Sequence, residues 1–313
     1  AIIGIFLHNY CHWLAPVVKE NEYQYFQENV NWFYHVIHSP LDKLFFFHML
    51  SFFGHYGVPV FLFLSAYGLT MKYEQQEEVA HGNLQPVQEK LPVWCFIKYH
   101  WLKLFSMMIV GFVAFTMLDA ITPSPHHYAV IDIIGQMGLF NNLLPHPDDI
   151  IWPGPYWFFG LMIQFYIVYR LCLYRRHWVW NVLLIAICAA IQLACDPEGE
   201  ALNRWRYNFI GGMLPFGFGV LYARYMRPLN TATHLVLFLL SLFAIVLMSF
   251  NYITWYFVPL AVCIASVSFV KLTSRLQIVQ KEYKTGFMAM LTWVGSISAA
   301  LFVCHPITRK IFI

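Results

Sequence analysis

The chain has 313 residues and a formal charge of +3, and is 59% hydrophobic, 19% aromatic and only 11% charged. Soluble domains carry about 25% charged residues, and no hydrophilic block here is long enough to fold alone, so the two soluble domains that this length would otherwise suggest are excluded. The basic residues form no stripe that would track a phosphate backbone, and the glycines have neither GxGxxG nor P-loop spacing, so nucleic-acid and nucleotide-fold readings fall away.

Apolar segments recur along the whole chain at close to the length of a bilayer span, about twenty residues. In lipid every backbone polar group must be satisfied within the protein, so repeated spans mean a helical bundle. The expected fold is all-α: a polytopic transmembrane bundle, read as one membrane domain over residues 1–313. About nine spans are expected: 1–18, 56–72, 99–119, 156–174, 177–195, 206–224, 231–250, 252–271 and 287–308. The apolar stretch 44–53 is too short to cross and is expected to be an amphipathic or re-entrant piece before the second span. Ala1 already lies inside an apolar run and Ile313 is followed by no polar tail. Both ends are therefore expected to be trimmed, with a tenth span in the full chain.

The first span holds His8 and His12, four residues apart and so on one helical face. Polar groups at membrane depth face the bundle interior or a wet cavity. An imidazole there can serve as a general base or as a hydrogen-bonded packing group. The spacing also suits a metal, but no HExxH and no third ligand stand in the sequence, so no metal site is expected. The polar, aromatic segment 19–54 follows. The second span opens on Gly54 and Gly57, with Pro59 and then Ser65. Its glycines permit close helix approach and its proline a kink.

Lys98 and Lys103 flank His100 at the entry of the third span. They mark a cytoplasmic boundary or meet an anionic group such as phosphate. Segment 120–155 has no Lys or Arg and is rich in Pro, Asn, Asp and His. A loop of that length has a functional or ordering role. Asn141, Asn142, His146, Asp148 and Asp149 can hydrogen-bond sugar hydroxyls, and Trp152 or Trp157 can stack on a sugar face. Tyr156 and Trp157 then lead the fourth span. In the last span, Ser298 and His305 share a face but lie about 10 Å apart along the axis, too far for a serine–histidine pair.

Loop charges orient the bundle. Lys72, Lys90, Lys98, Arg175, Arg176, Arg224, Arg227, Lys271, Arg275, Lys281 and Lys284 fall on one side, which is expected to be cytoplasmic. Lys19, Lys43, Arg204 and Arg206, with Arg309 and Lys310, fall on the other. The seven cysteines form no CxxC pair and are expected to be small buried apolar residues.

In chain order these pieces resemble the membrane acyltransferase-3 family over nearly the whole length. The resemblance rests on a histidine in the first helix, then Gly54, Gly57, Val58, Phe61 and Ser65, a basic entry to the third helix, Trp157, and Gly295, Ser298 and His305. It implies a bundle of about ten helices in which a histidine, here His8 or His12, is the base. It also implies acyl transfer, usually of acetyl from acetyl-CoA, onto a sugar hydroxyl. Acyl-CoA, a carbohydrate acceptor and the lipid bilayer are the implied partners. No permanently bound cofactor is implied. Lys98, Lys103 and Ser65 would serve the donor, and Tyr156, Trp157 and His305 the acceptor. The expected location is a cell membrane crossed many times, the bacterial inner membrane. The chain departs from the family at Ala66, where glycine is usual, at Lys98 and Lys103, where arginines are usual, and at Ser106, where proline is usual. A basic residue three turns before the histidine would fall before Ala1. Three other readings remain open: a glycan or lipid transporter using the same cavity, a glucosamine N-acetyltransferase-like enzyme, and a catalytically dead sensor of this fold.

Overall fold

The computed structural model describes residues 1–39, 42–75, 92–279 and 287–312, all helix and connecting turn with no strand among them. Lys90, Lys281 and Lys284, used above to orient the bundle, lie outside the described residues, as does the side chain of Arg275. Among the described residues, four helices are long and apolar enough to cross a membrane: Phe45–Glu74, Val93–Ile121, Gly154–Leu173 and Thr231–Ser249. A fifth is counted if the broken pair at the C-terminal end is one span.

Several expected spans come out shorter. The first is only Ile2–Cys11, since Pro16 cannot continue a helix and its ring clashes with the carbonyl one turn back. Segment 177–195 becomes Trp178–Leu193, and 206–224 becomes Phe209–Tyr225 with Pro215 inside. Segment 252–271 divides into Tyr252–Trp255 and Val258–Val279, and 287–308 into Phe287–Ser296 and Ser298–Phe312. The stretch 44–53 is not a separate re-entrant piece. It runs through Gly54–Tyr56 into the next helix, giving 30 continuous residues.

By packing, the chain divides into two compact units, Ala1–Gly68 with Leu214–Ser298, and Leu69–Met213 with Ala299–Ile313. In the first unit, Ile2–Cys11 lies against the Phe45–Glu74 helix. Gly54 and Gly57 make this possible. A Cβ on Gly54 would sit 2.5 Å from the His8 Cβ, and one on Gly57 2.7 Å from Ile5 Cγ1. The amphipathic helix Gln27–Ile37 joins them by stacking Phe33 on Phe52, centroids 4.2 Å apart. Thr231–Ser249 pairs with Val258–Val279, and the Tyr56 hydroxyl meets the Ser249 hydroxyl at 3.0 Å. The indole N–H of Trp255 donates to the Asn21 carbonyl at 3.0 Å.

In the second unit, Val93–Ile121 packs on Gly154–Leu173. Asp119 is fully buried, and its carboxylate meets Lys310 Nζ at 2.9 Å and the His126 amide at 2.8 Å. Segment 120–155 is ordered by short helices at Val130–Gly138 and Pro147–Ile150. All seven cysteines are free, but only Cys11, Cys188 and Cys263 are buried, while Cys95, Cys172 and Cys304 are exposed. An apolar residue on a membrane helix can face lipid and need not enter the protein core. Thr231–Ser249 shows the same property, with Leu239, Leu240 and Phe243 all outward.

Candidate active site

His8 and His12 sit on one face of the first helix with ring centroids 4.9 Å apart. His8 is buried, and its Nδ1 lies 2.8 Å from the Ser51 carbonyl. A carbonyl only accepts, so Nδ1 carries the proton and Nε2 keeps its lone pair. His55 packs near the same ring, centroids 5.8 Å apart.

The third member is Glu20, which the sequence reading did not single out. Pro16 ends the helix, Leu14 and Val17 close turns onto Cys11 and Leu14, and the chain doubles back. The Phe45–Glu74 helix then pins it. The Val18 amide donates to His48 Nδ1 at 3.0 Å, and the Ser51 hydroxyl donates to the Val18 carbonyl at 2.6 Å. His48 Nε2, which must carry the proton, faces Asp42 at 3.3 Å. Glu20 is thereby held with Oε1 3.0 Å from His12 Nδ1 and 3.7 Å from His8 Nε2. Burial opposes its charge, but the hydrogen bond from His12 holds its carboxyl below the usual carboxylate range. It is a carboxylate at neutral pH. The one hint in sequence was an acid soon after a histidine pair and a proline.

Ser65 lies in the same unit, half-buried on the Phe45–Glu74 helix. The other sequence-expected residues belong to the second unit. Lys98 and Lys103 are exposed on the Val93–Ile121 helix, on either side of buried His100. His100 Nε2 meets the Tyr73 hydroxyl at 3.2 Å, and its ring lies on Tyr166, centroids 4.2 Å apart. Lys72 lies over the rings of Tyr73 and Tyr99.

Tyr156 is fully buried and donates its hydroxyl to the Val303 carbonyl at 3.0 Å, which ties it to the last helix. Trp157 is buried, its carbonyl accepting from Asn142 Nδ2 at 2.9 Å. His305 is buried and uses Nδ1 on the Phe302 carbonyl at 2.8 Å. Asn141 and Asn142 do not present themselves to a sugar. Both are buried, Asn141 bonding Gln136 and Asn142 also reaching the Tyr207 carbonyl at 2.6 Å. Polar groups in a membrane bundle first satisfy one another. His146 is exposed and pairs with Glu200 at 2.9 Å, and Asp148 bonds Asn203.

A family model described as an acyltransferase domain matches residues 1–313, the whole chain. Comparison with curated proteins finds no match, and comparison with solved structures finds none either.

Proposed function

The chain belongs to the acyltransferase-3 family, and on that premise we propose that it is an integral-membrane O-acyltransferase. It moves an acetyl group from cytoplasmic acetyl-CoA to a hydroxyl of a cell-envelope carbohydrate, as a multi-pass protein of a bacterial inner membrane. The observation that supports this best is His8. It is buried, its Nδ1 is engaged by the Ser51 carbonyl, and its basic Nε2 stands 3.7 Å from a carboxylate.

The step is direct. His8 Nε2 takes the proton of the acceptor hydroxyl while that oxygen attacks the thioester carbonyl. The new C–O bond forms, the C–S bond breaks, and the coenzyme leaves as a thiolate. The imidazolium then returns its proton to that sulfur. Glu20 stabilises the imidazolium as a charge and, like the aspartate of a Ser–His–Asp triad, is not itself protonated. Its hydrogen bond to His12 keeps the carboxylate in place. Lys98 and Lys103 would meet the phosphates of the donor as point charges. Tyr156, Trp157 and His305 are buried and bonded within their own unit, so they would support the acceptor region indirectly.

The test is release of free thiol and transfer of labelled acetyl by the purified protein in lipid nanodiscs. His8→Ala should lose about 10²–10⁴-fold in rate with acetyl-CoA binding retained, and His12→Ala should lose less. A protein that moves the glycan but transfers no acetyl is a transporter. Loss confined to His12→Ala would move the base by one turn.

A further inference from the structure

We propose that His8, His12 and Glu20 form a binding site for a divalent cation of the zinc class. The three side chains come from a helix and the turn that follows it, and one ligand atom of each lies within 4.8 Å of the others. Zinc holds nitrogen and carboxylate ligands at about 2.0–2.2 Å in a tetrahedron, which sets neighbouring ligand atoms about 3.3 Å apart. The measured edges are 3.7 Å from His8 Nε2 to Glu20 Oε1 and 3.0 Å from His12 Nδ1 to the same oxygen. The edge between the two imidazole nitrogens lies within 4.8 Å, so seating an ion closes it by up to about 1.5 Å, a movement that rotation of the partly exposed His12 ring can supply.

Three further features suit a ligand set. The Ser51 carbonyl holds His8 Nδ1, which fixes the tautomer with Nε2 as the free donor, the usual outer support of a metal-bound histidine. Glu20 Oε2 is buried and has no hydrogen-bond partner among the described residues, so the carboxylate has a second oxygen to offer. The Val18 backbone is clamped by His48 and Ser51, so the turn carrying Glu20 is positioned in advance. Two imidazoles and one carboxylate favour zinc and its neighbours over magnesium or calcium, which prefer oxygen alone. Binding requires only that His12 carry its proton on Nε2 and not on Nδ1. Three protein ligands leave the fourth tetrahedral position open.

The consequence for transfer rests on the reading of His8 as the base. An ion on Nε2 occupies the lone pair that would accept the hydroxyl proton, so zinc binding should switch transfer off. The binding claim stands or falls without that reading.

The experiment uses the full chain, purified in nanodiscs and stripped of metal with a chelator. Zinc is titrated against a colour-forming chelator, and cobalt(II) is added separately to read coordination from its absorption. One equivalent should bind, with tetrahedral, nitrogen- and oxygen-dominated cobalt bands. Glu20→Gln, which keeps the shape, and His12→Asn should each weaken binding at least tenfold. Absence of stoichiometric binding would overturn the proposal. So would an affinity unchanged from the unsubstituted protein in both variants, or cobalt bands of thiolate character, which would move the ion to the exposed cysteines. In the parallel assay, acetyl transfer should fall with the same zinc midpoint and recover with chelator. Full transfer on a zinc-saturated protein would reject His8 as the base and leave the binding result intact.

Discussion

The contact between the first helix and Gly54 permits a sharp prediction. Gly54 has helical dihedrals, φ −65° and ψ −29°, so glycine is not needed there for backbone reasons. It is needed for space. A Cβ would stand 2.5 Å from the His8 Cβ and 2.9 Å from the Gly4 carbonyl oxygen. Non-bonded carbons settle at about 3.5–4.0 Å, so Gly54→Ala must push the two helices about 1 Å apart. Neither obstructing atom is the end of a flexible chain. Overpacking of this kind costs about 1–3 kcal/mol, partly offset by about 1 kcal/mol of helix propensity gained over glycine. The stability loss should therefore be small, about 0–2 kcal/mol. The functional loss should be larger, because the atom displaced belongs to His8. A 1 Å misplacement of a reacting group costs about 10²-fold. Gly68→Ala is the control, since nothing among the described residues lies within 4 Å of its added Cβ. The assay is thermal unfolding in nanodiscs beside acetyl transfer from acetyl-CoA. Wild-type turnover in a folded Gly54→Ala protein would refute the claim that this glycine sets the position of His8.

Other outcomes follow from the same geometry. Lys310→Met leaves the fully buried Asp119 without its cation, and breaking a buried pair costs about 3 kcal/mol or more. Thermal unfolding should show a clear drop, with Asp119→Asn/Lys310→Met recovering part of it. Replacing Lys98 and Lys103 together by Gln should raise KM for acetyl-CoA more than KM for the acceptor, and an unchanged donor KM would leave them as topology markers. Single cysteines introduced at Arg175 or Arg176, with Cys95, Cys172 and Cys304 replaced, should resist an impermeant thiol reagent in intact cells, whereas those in 120–155 should react. Strong external labelling at Arg175 would invert the orientation.

What the amino-acid order determined by itself was set by solvent and by short range. Long apolar runs with few charges admit only helices in a bilayer, and the described residues are helices joined by turns, with no strand among them. The i, i+4 spacing put His8 and His12 on one face, and the small Gly54 and Gly57 announced a close helix contact. Helix ends were less legible, because apolarity alone does not say where a helix stops. Pro16 shortened the first one to Cys11, and 44–53 proved continuous with its successor. Tertiary structure alone assembled the candidate site. Glu20 reaches the histidines because Val18 is pinned by His48 and Ser51, which are 30 and 33 residues further along the chain. It also decided that Asn141 and Asn142 spend their side-chain N–H groups, and Tyr156 its hydroxyl, on internal acceptors. A hydropathy profile counts such groups as available. Only packing shows which partner each has already taken, since an unpaired polar group inside a bundle is too costly to leave free.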